Sequence, residues 1–163
     1  MAEIVLCRID SRLIHGQVMT KWVNQSQANK IIVVSDSLAA DEFMLEIYLM
    51  AAPAGVKVEC CSRADAVSKW EENQFGNGRV LLLLPDLESM KEVYDGGIKV
   101  TDIQVGGLGG APGRKVVFQN ITLADEDVKK LEYFQEAGVK VIFQTIPEDV
   151  PQNLEGILKK YNN

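Results

Sequence analysis

The chain has 163 residues, 47% of them hydrophobic, enough to bury a substantial core, and it fits one domain over 1–163 better than two. A net charge of −6 with no basic run excludes a nucleic-acid backbone binder, whose affinity rests on clustered Lys and Arg. The longest apolar stretches, such as Val80 to Leu84, fall far short of the roughly 20 residues a helix needs to cross a bilayer, and Met1-Ala2-Glu3-Ile4 lacks the basic start of a secretory signal.

Short β-branched runs alternate with longer segments of helical period, the pattern of βαβ units. The fold class expected is α/β, a single-domain, open, mainly parallel twisted sheet of about six or seven strands with helices on both faces. The strand-like runs are Ile4 to Ile9, Lys30 to Val34, Val56 to Cys61, Arg79 to Leu84, Asp102 to Val105, Lys115 to Gln119 and Val139 to Gln144. A first helix over Gln17 to Asn24 turns Val18, Trp22 and Val23 inward. Ser37 precedes a helix over Leu38 to Ala52, with Leu38, Phe43, Ile47 and Met50 near one stripe and Pro53 ending the run. Ser62 caps a helix reaching about Asn73, and Asp86 caps another that stops at Gly96-Gly97. Leu123 to Ala137 reads as helix, with Gly138 in the left-handed position just past its end. The last helix starts after Pro151 and points Leu154, Ile157 and Leu158 inward.

In an open parallel sheet, functional groups gather beyond the C-terminal strand ends, where strand order reverses. The loops to inspect follow Ile9, Val34, Leu84 and Val105. The first reads Arg8-Ile9-Asp10-Ser11-Arg12-Leu13-Ile14-His15-Gly16-Gln17-Val18 and holds the only histidine of the chain. His15 falls just before a helix N-terminus, where first-turn N–H groups lack partners and the helix dipole favours negative charge. Gly16 allows close backbone approach, and Arg8 and Arg12 supply guanidinium forks suited to phosphate oxygens. Asp10 is placed to hold the proton of one imidazole nitrogen, leaving the other as nucleophile. The bland alternative is a capping or partly buried histidine, with arginines paired to surface carboxylates.

The string from Arg8 to Val18 closely resembles the active-site motif of the IIB proteins of the mannose, fructose, sorbose and N-acetylgalactosamine phosphotransferase family. The likeness continues through Val33-Val34-Ser35-Asp36, Leu84-Pro85-Asp86 and Gln104-Val105-Gly106-Gly107 to the final strand and helix. The resemblance implies a phosphoryl carrier. A IIA component donates to His15, which passes the group to a sugar entering through the membrane components IIC and IID. Arg8, Asp10, Arg12, Gly16 and Gln17 then bind phosphate or orient the ring, and Asp36, Pro85, Asp86 and Gly107 are candidates for the rim. The family implies neither metal nor other cofactor, a cytoplasmic protein peripherally associated with its transporter, and an open question of homo-oligomerisation. The segment from Gly113 to Pro147 is more similar to N-acetylgalactosamine or related amino-sugar branches than to mannose ones.

Other signals are weaker. Gly107-Leu108-Gly109-Gly110-Ala111-Pro112 puts proline where a dinucleotide fingerprint needs its third glycine, and no Gly-Lys-Ser/Thr follows for a P-loop. A receiver domain would need an acidic pair after the first strand, and only Asp10 is there. Cys60-Cys61 reads as strand packing, and with Cys7 makes neither a disulfide framework nor a CxxC site. The rival functional reading is a non-catalytic regulatory or anion-binding module of the same fold.

Overall fold

A computed structural model describes residues 2–163. Seven strands form one sheet, in the spatial order β3 (Lys57–Cys61), β2 (Lys30–Val34), β4 (Arg79–Leu84), β1 (Glu3–Asp10), β5 (Asp102–Gly107), β8 (Lys140–Phe143) and β9 (Gln152–Asn153). All neighbours are parallel except β8 with β9. After β1 the chain builds to one side, returns through β4, and then starts the other side with β5. Strand order therefore reverses around β1, and Asp10 at its end lies beside Gly107 at the end of β5.

The faces follow from the two-residue period of the strands. Leu81 and Leu83 pack under α1 (Gly16–Ser26), α2 (Asp36–Ala39) and α3 (Glu42–Met50). Val80, Leu82 and Leu84 pack under α4 (Arg63–Asn73), α5 (Leu87–Asp95), α6 (Asp125–Glu136) and α7 (Leu154–Asn162). The five β4 residues from Val80 to Leu84 are fully buried, each contributing about 1.5–3 kcal/mol. The two faces differ in kind. The buried cluster under α1 to α3 draws nothing from β5 or β8; there β1 and β5 present Arg8 and Gln104, paired across the strands and both buried.

Several expected elements shift. Lys115 to Gln119 does not join the sheet: β6 (Lys115–Phe118) pairs only with β7 (Ile121–Leu123), an antiparallel hairpin of its own, and the seventh place in the sheet goes to β9. Leu123 is thus strand, and α6 begins at Asp125 behind Ala124. The long helix after β2 is two, because Asp41 accepts from Met44 N and starts a second helix, while the first is capped by Ser35 and not Ser37. The apolar stripe on α3 exists, but Phe43, Ile47 and Met50 face solvent. Periodicity defines a face without saying which way it turns. The caps at Ser62 and Asp86 and the left-handed Gly138 stand as expected.

No helix among the described residues is long and apolar enough to cross a membrane. All three cysteines are free thiols. Burial pushes the Cys7 thiol up to about 12 and Cys61 to about 11, with a smaller upward push on half-buried Cys60. A thiol reagent at pH 8 should therefore label Cys60 first and leave Cys7 untouched until the protein unfolds, as peptide mapping of native and denatured samples would register. Rapid native labelling of Cys7 would contradict that packing.

Candidate functional site

The site is built around a buried carboxylate. Asp10 ends β1 and is fully buried, and its Oδ2 accepts from Arg8 NH2 at 3.2 Å and lies 3.0 Å from His15 Nε2. Its Oδ1 accepts from the Arg12 backbone N–H at 3.0 Å, a tight turn that starts the loop. The loop is pinned at both ends of its path. Ser11 N–H donates to Gly107 O, Gly109 N–H donates to Ser11 Oγ, and Leu13 and Ile14 are buried in the α1 side core. Leu13 is held at φ +56, a costly conformation for a leucine that its buried side chain enforces.

A carboxylate only accepts hydrogen bonds, so the Asp10 contact places the imidazole proton on Nε2 and leaves the Nδ1 lone pair free. The His15 side chain is 18% exposed, enough for a partner to reach it. His15 is also the residue that precedes α1, in an extended conformation with no side-chain cap bond. Each of the other six helices has a side chain bonded at its start, from Ser35, Asp41, Ser62, Asp86, Asp127 or Asn153, and an acidic residue in its first turn. Helix α1 has neither. Its first N–H groups, Gln17 among them, are therefore uncommitted, next to the free imidazole nitrogen. Gly16 is needed for its φ of +50 and not for space, since an added Cβ would touch nothing.

The two arginines do different work. Arg12 is 56% exposed, with Nε 3.9 Å from Asp10 Oδ1, and is free to swing toward an anion. Arg8 is not a fork beside the ring: it lies fully buried beneath Asp10. Its NH1 donates to Gln104 Oε1 at 2.5 Å and to Gln144 O at 3.1 Å; its NH2 also donates to Thr145 O at 3.0 Å. The guanidinium carbon sits 5.3 Å from the centre of the Trp22 ring, and Trp22 Nε1–H donates to the same Thr145 O. Burial pulls the Arg8 pKa below its ordinary value while the Asp10 charge resists, so the pair is held together by mutual need.

Of the rim candidates, only Gly107 enters this network. A Cβ there would meet Asp10 Oδ1 at 3.0 Å and Asn120 Nδ2 at 3.1 Å. Asp36 instead accepts from Arg63 N and Nε at 2.8 and 2.9 Å, bonds that hold its carboxyl below the usual range. Asp86 is used as the cap of α5, and Pro85 beside it makes no bond to the Asp10 group among the described residues. Sequence reasoning missed Gln104, Trp22, Asn120 and Thr145 as parts of the bed. Gln104 gave a signal, a polar residue inside the apolar run Ile103 to Val105. Gly106 gave another, since a Cβ there would overlap the Arg8 guanidinium.

Residues 4–163 match the family model described as PTS system sorbose subfamily IIB component. The fructose-specific EIIB component of Bacillus subtilis is 30% identical over 159 residues, covering 98% of both chains. Among solved structures, manxB from Thermoanaerobacter tengcongensis is 39% identical with a TM-score of 0.93, covering 100% of this chain and 99% of the other. The IIBSor domain of the sorbose permease from Klebsiella pneumoniae is 31% identical with a TM-score of 0.90, covering 98% and 96%.

Gly106→Ala should displace Arg8 and lower the unfolding free energy by about 3 kcal/mol in a urea titration, because a buried charge pair is broken as well as overpacked. A variant as stable as the parent would show that Arg8 has room the structure denies it.

Proposed function

The chain belongs to the sorbose-subfamily IIB components of the phosphotransferase system, and from that premise we propose that it is a phosphohistidine carrier with His15 as the acceptor. The reading is carried by one observation: an imidazole whose Nε2 lies 3.0 Å from a buried carboxylate stands at the one helix start, among the described residues, with neither a side-chain bond nor an acidic residue. The IIA component's phosphohistidine supplies the group. Its N–P bond breaks as a bond to His15 Nδ1 forms, and the Nε2 proton stays on the ring, held by Asp10. The transferred phosphoryl oxygens are met by the N–H groups of Gly16 and Gln17 and by Arg12, which stabilise charge without a proton having to move. On passage to a sugar hydroxyl, presented by the membrane components IIC and IID, the His15 Nδ1–P bond breaks as an O–P bond forms, and the hydroxyl proton is released to solvent.

Arg8 acts one layer down, as a positioning residue for Asp10. Arg12 is the natural contact for the phosphoryl group, being exposed and only loosely tied. A carrier must release what it binds, and a single mobile guanidinium suits that better than a rigid clamp. The sugar is chosen where it crosses the membrane. Relatives are named for fructose, mannose, sorbose and N-acetylgalactosamine alike, so the amino-sugar likeness of the 113–147 segment selects no sugar among them.

Incubation with phosphorylated IIA component should place acid-labile, base-stable label on this chain, and His15→Ala should abolish it with the fold intact. Persistent label in that variant would remove His15 from the role, and no label in the parent would favour a non-catalytic anion-binding module. Asp10→Asn should slow transfer roughly a hundredfold or more, since an amide NH2 facing Nε2 favours the wrong tautomer.

The exposed face of α3 supports a docking role near this loop. Phe43, Ile47 and Met50 recur at i, i+4 and i+7 on the outside of the helix, and Tyr48 OH donates to Arg12 O from the same helix. We assign this face to the IIA component, which has to reach His15 across the Arg12 loop that Tyr48 touches. Met50→Ser should leave stability within about 0.5 kcal/mol of the parent yet raise the concentration of phosphorylated IIA needed for half-maximal labelling by roughly tenfold. Unchanged labelling kinetics would free α3 of that part.

A further inference from the structure

A second recess lies in the middle of the sheet, toward the N-terminal ends of the strands and away from His15. Strands β1 and β5 are paired from Arg8 and Gln104 onward, and below that pair they are not registered to one another. β1 carries an irregularity between Ile4 and Leu6 on its other side, against β4. The fork holds a cavity of about 440 Å³ whose apolar walls include Leu6, Trp70, Ile103 and Ile142. That volume falls within the range of small-molecule sites.

Gln104 forms part of the lining and is 3% exposed. Arginine has donors only, so the contact with Arg8 NH1 requires the Gln104 amide oxygen to face Arg8. The NH2 group is then turned the other way, with no hydrogen-bond partner among the described residues. Unlike Arg8 Nε, it is not sealed from solvent. An amide donor that the described residues leave to solvent alone is available to an acceptor that enters the cavity and displaces that water. Lys99, Lys140 and Asp102 also line the cavity, giving it a net positive edge. The Lys99 ammonium rests over the Tyr94 ring at 4.1 Å, which leaves Lys140 as the cation best placed to pair with a ligand.

We propose that the β1–β5 fork is a binding site for a small organic carboxylate with an apolar body. The body fills the space between Leu6, Ile103 and Ile142, the carboxylate accepts from Gln104 Nε2, and Lys140 neutralises it. Because the same amide holds Arg8, the occupant would sit one residue removed from the bed of Asp10.

Benzoate is a suitable probe, with benzyl alcohol as its uncharged counterpart, both added to the full-length ¹⁵N-labelled protein at fixed ionic strength. A ligand of about nine heavy atoms should show a dissociation constant of about 1–10 mM. Saturable shifts are expected at the Gln104 side-chain NH2 and at the backbone amides of Leu6, Ile103 and Ile142, with benzyl alcohol weaker by roughly tenfold. Lys140→Ala, at an exposed position, should weaken benzoate several-fold and leave benzyl alcohol unchanged. The site is refuted by an absence of saturable shifts at those four positions, by equal affinity for the two probes, or by shifts confined to residues 11 to 19, which would assign the anion to the His15 loop.

Discussion

The buried ion pair of Arg8 and Asp10 is the interaction on which the rest of the site depends. Removing two charges from water costs more than most such pairs return, so a pair this enclosed is poor support for a fold and is better explained by what it fixes. Here it fixes a carboxylate, and the carboxylate fixes a ring. The neighbours of Arg8 serve that end: the Gln104 side chain from β5, the Gln144 and Thr145 carbonyls just after β8, an indole face from α1, and a glycine whose lack of a side chain makes room. Arg8 Nε is left without a partner, a cost the arrangement tolerates for the sake of the other four donors.

The division of labour between the faces of the sheet follows from this. One face is a continuous apolar layer under four helices. On the other, the core covers β2 and β4, and then gives way at β1 and β5 to a polar bed. The His15 loop is attached to this frame by short bonds at Ser11 and by the buried side chains of Leu13 and Ile14, so the imidazole is positioned by strands instead of by loop contacts alone.

What could be read in the sequence was local. Histidine, glycine and the flanking charges stand within eleven residues, and a helix start beside them is a matter of counting. The βαβ order was legible because β-branched runs and capped helices alternate cleanly. The bed of Arg8 was not, because its partners lie 96 and 136 residues away and are recognisable only once β5 and β8 are known to follow β1 in the sheet. An arginine beside a histidine reads as a phosphate ligand in one dimension, and only three dimensions show it below the carboxylate. The hairpin at 115–123 eluded prediction for a related reason: short β-branched runs specify extended chain, not the sheet to which it is added. The outward turn of Phe43 and Met50 is the same lesson for a helix.

Leu13 has a consequence for traffic. A backbone locked in a left-handed turn by its own buried side chain does not swing, so the ring cannot be carried from a donor on one flank to an acceptor on another. Visitors must come to one nitrogen over one approach, and two large proteins cannot occupy that approach together. The relay proposed for this chain is then an alternation of callers at a fixed doorway, and an excess of either one would hold up the other.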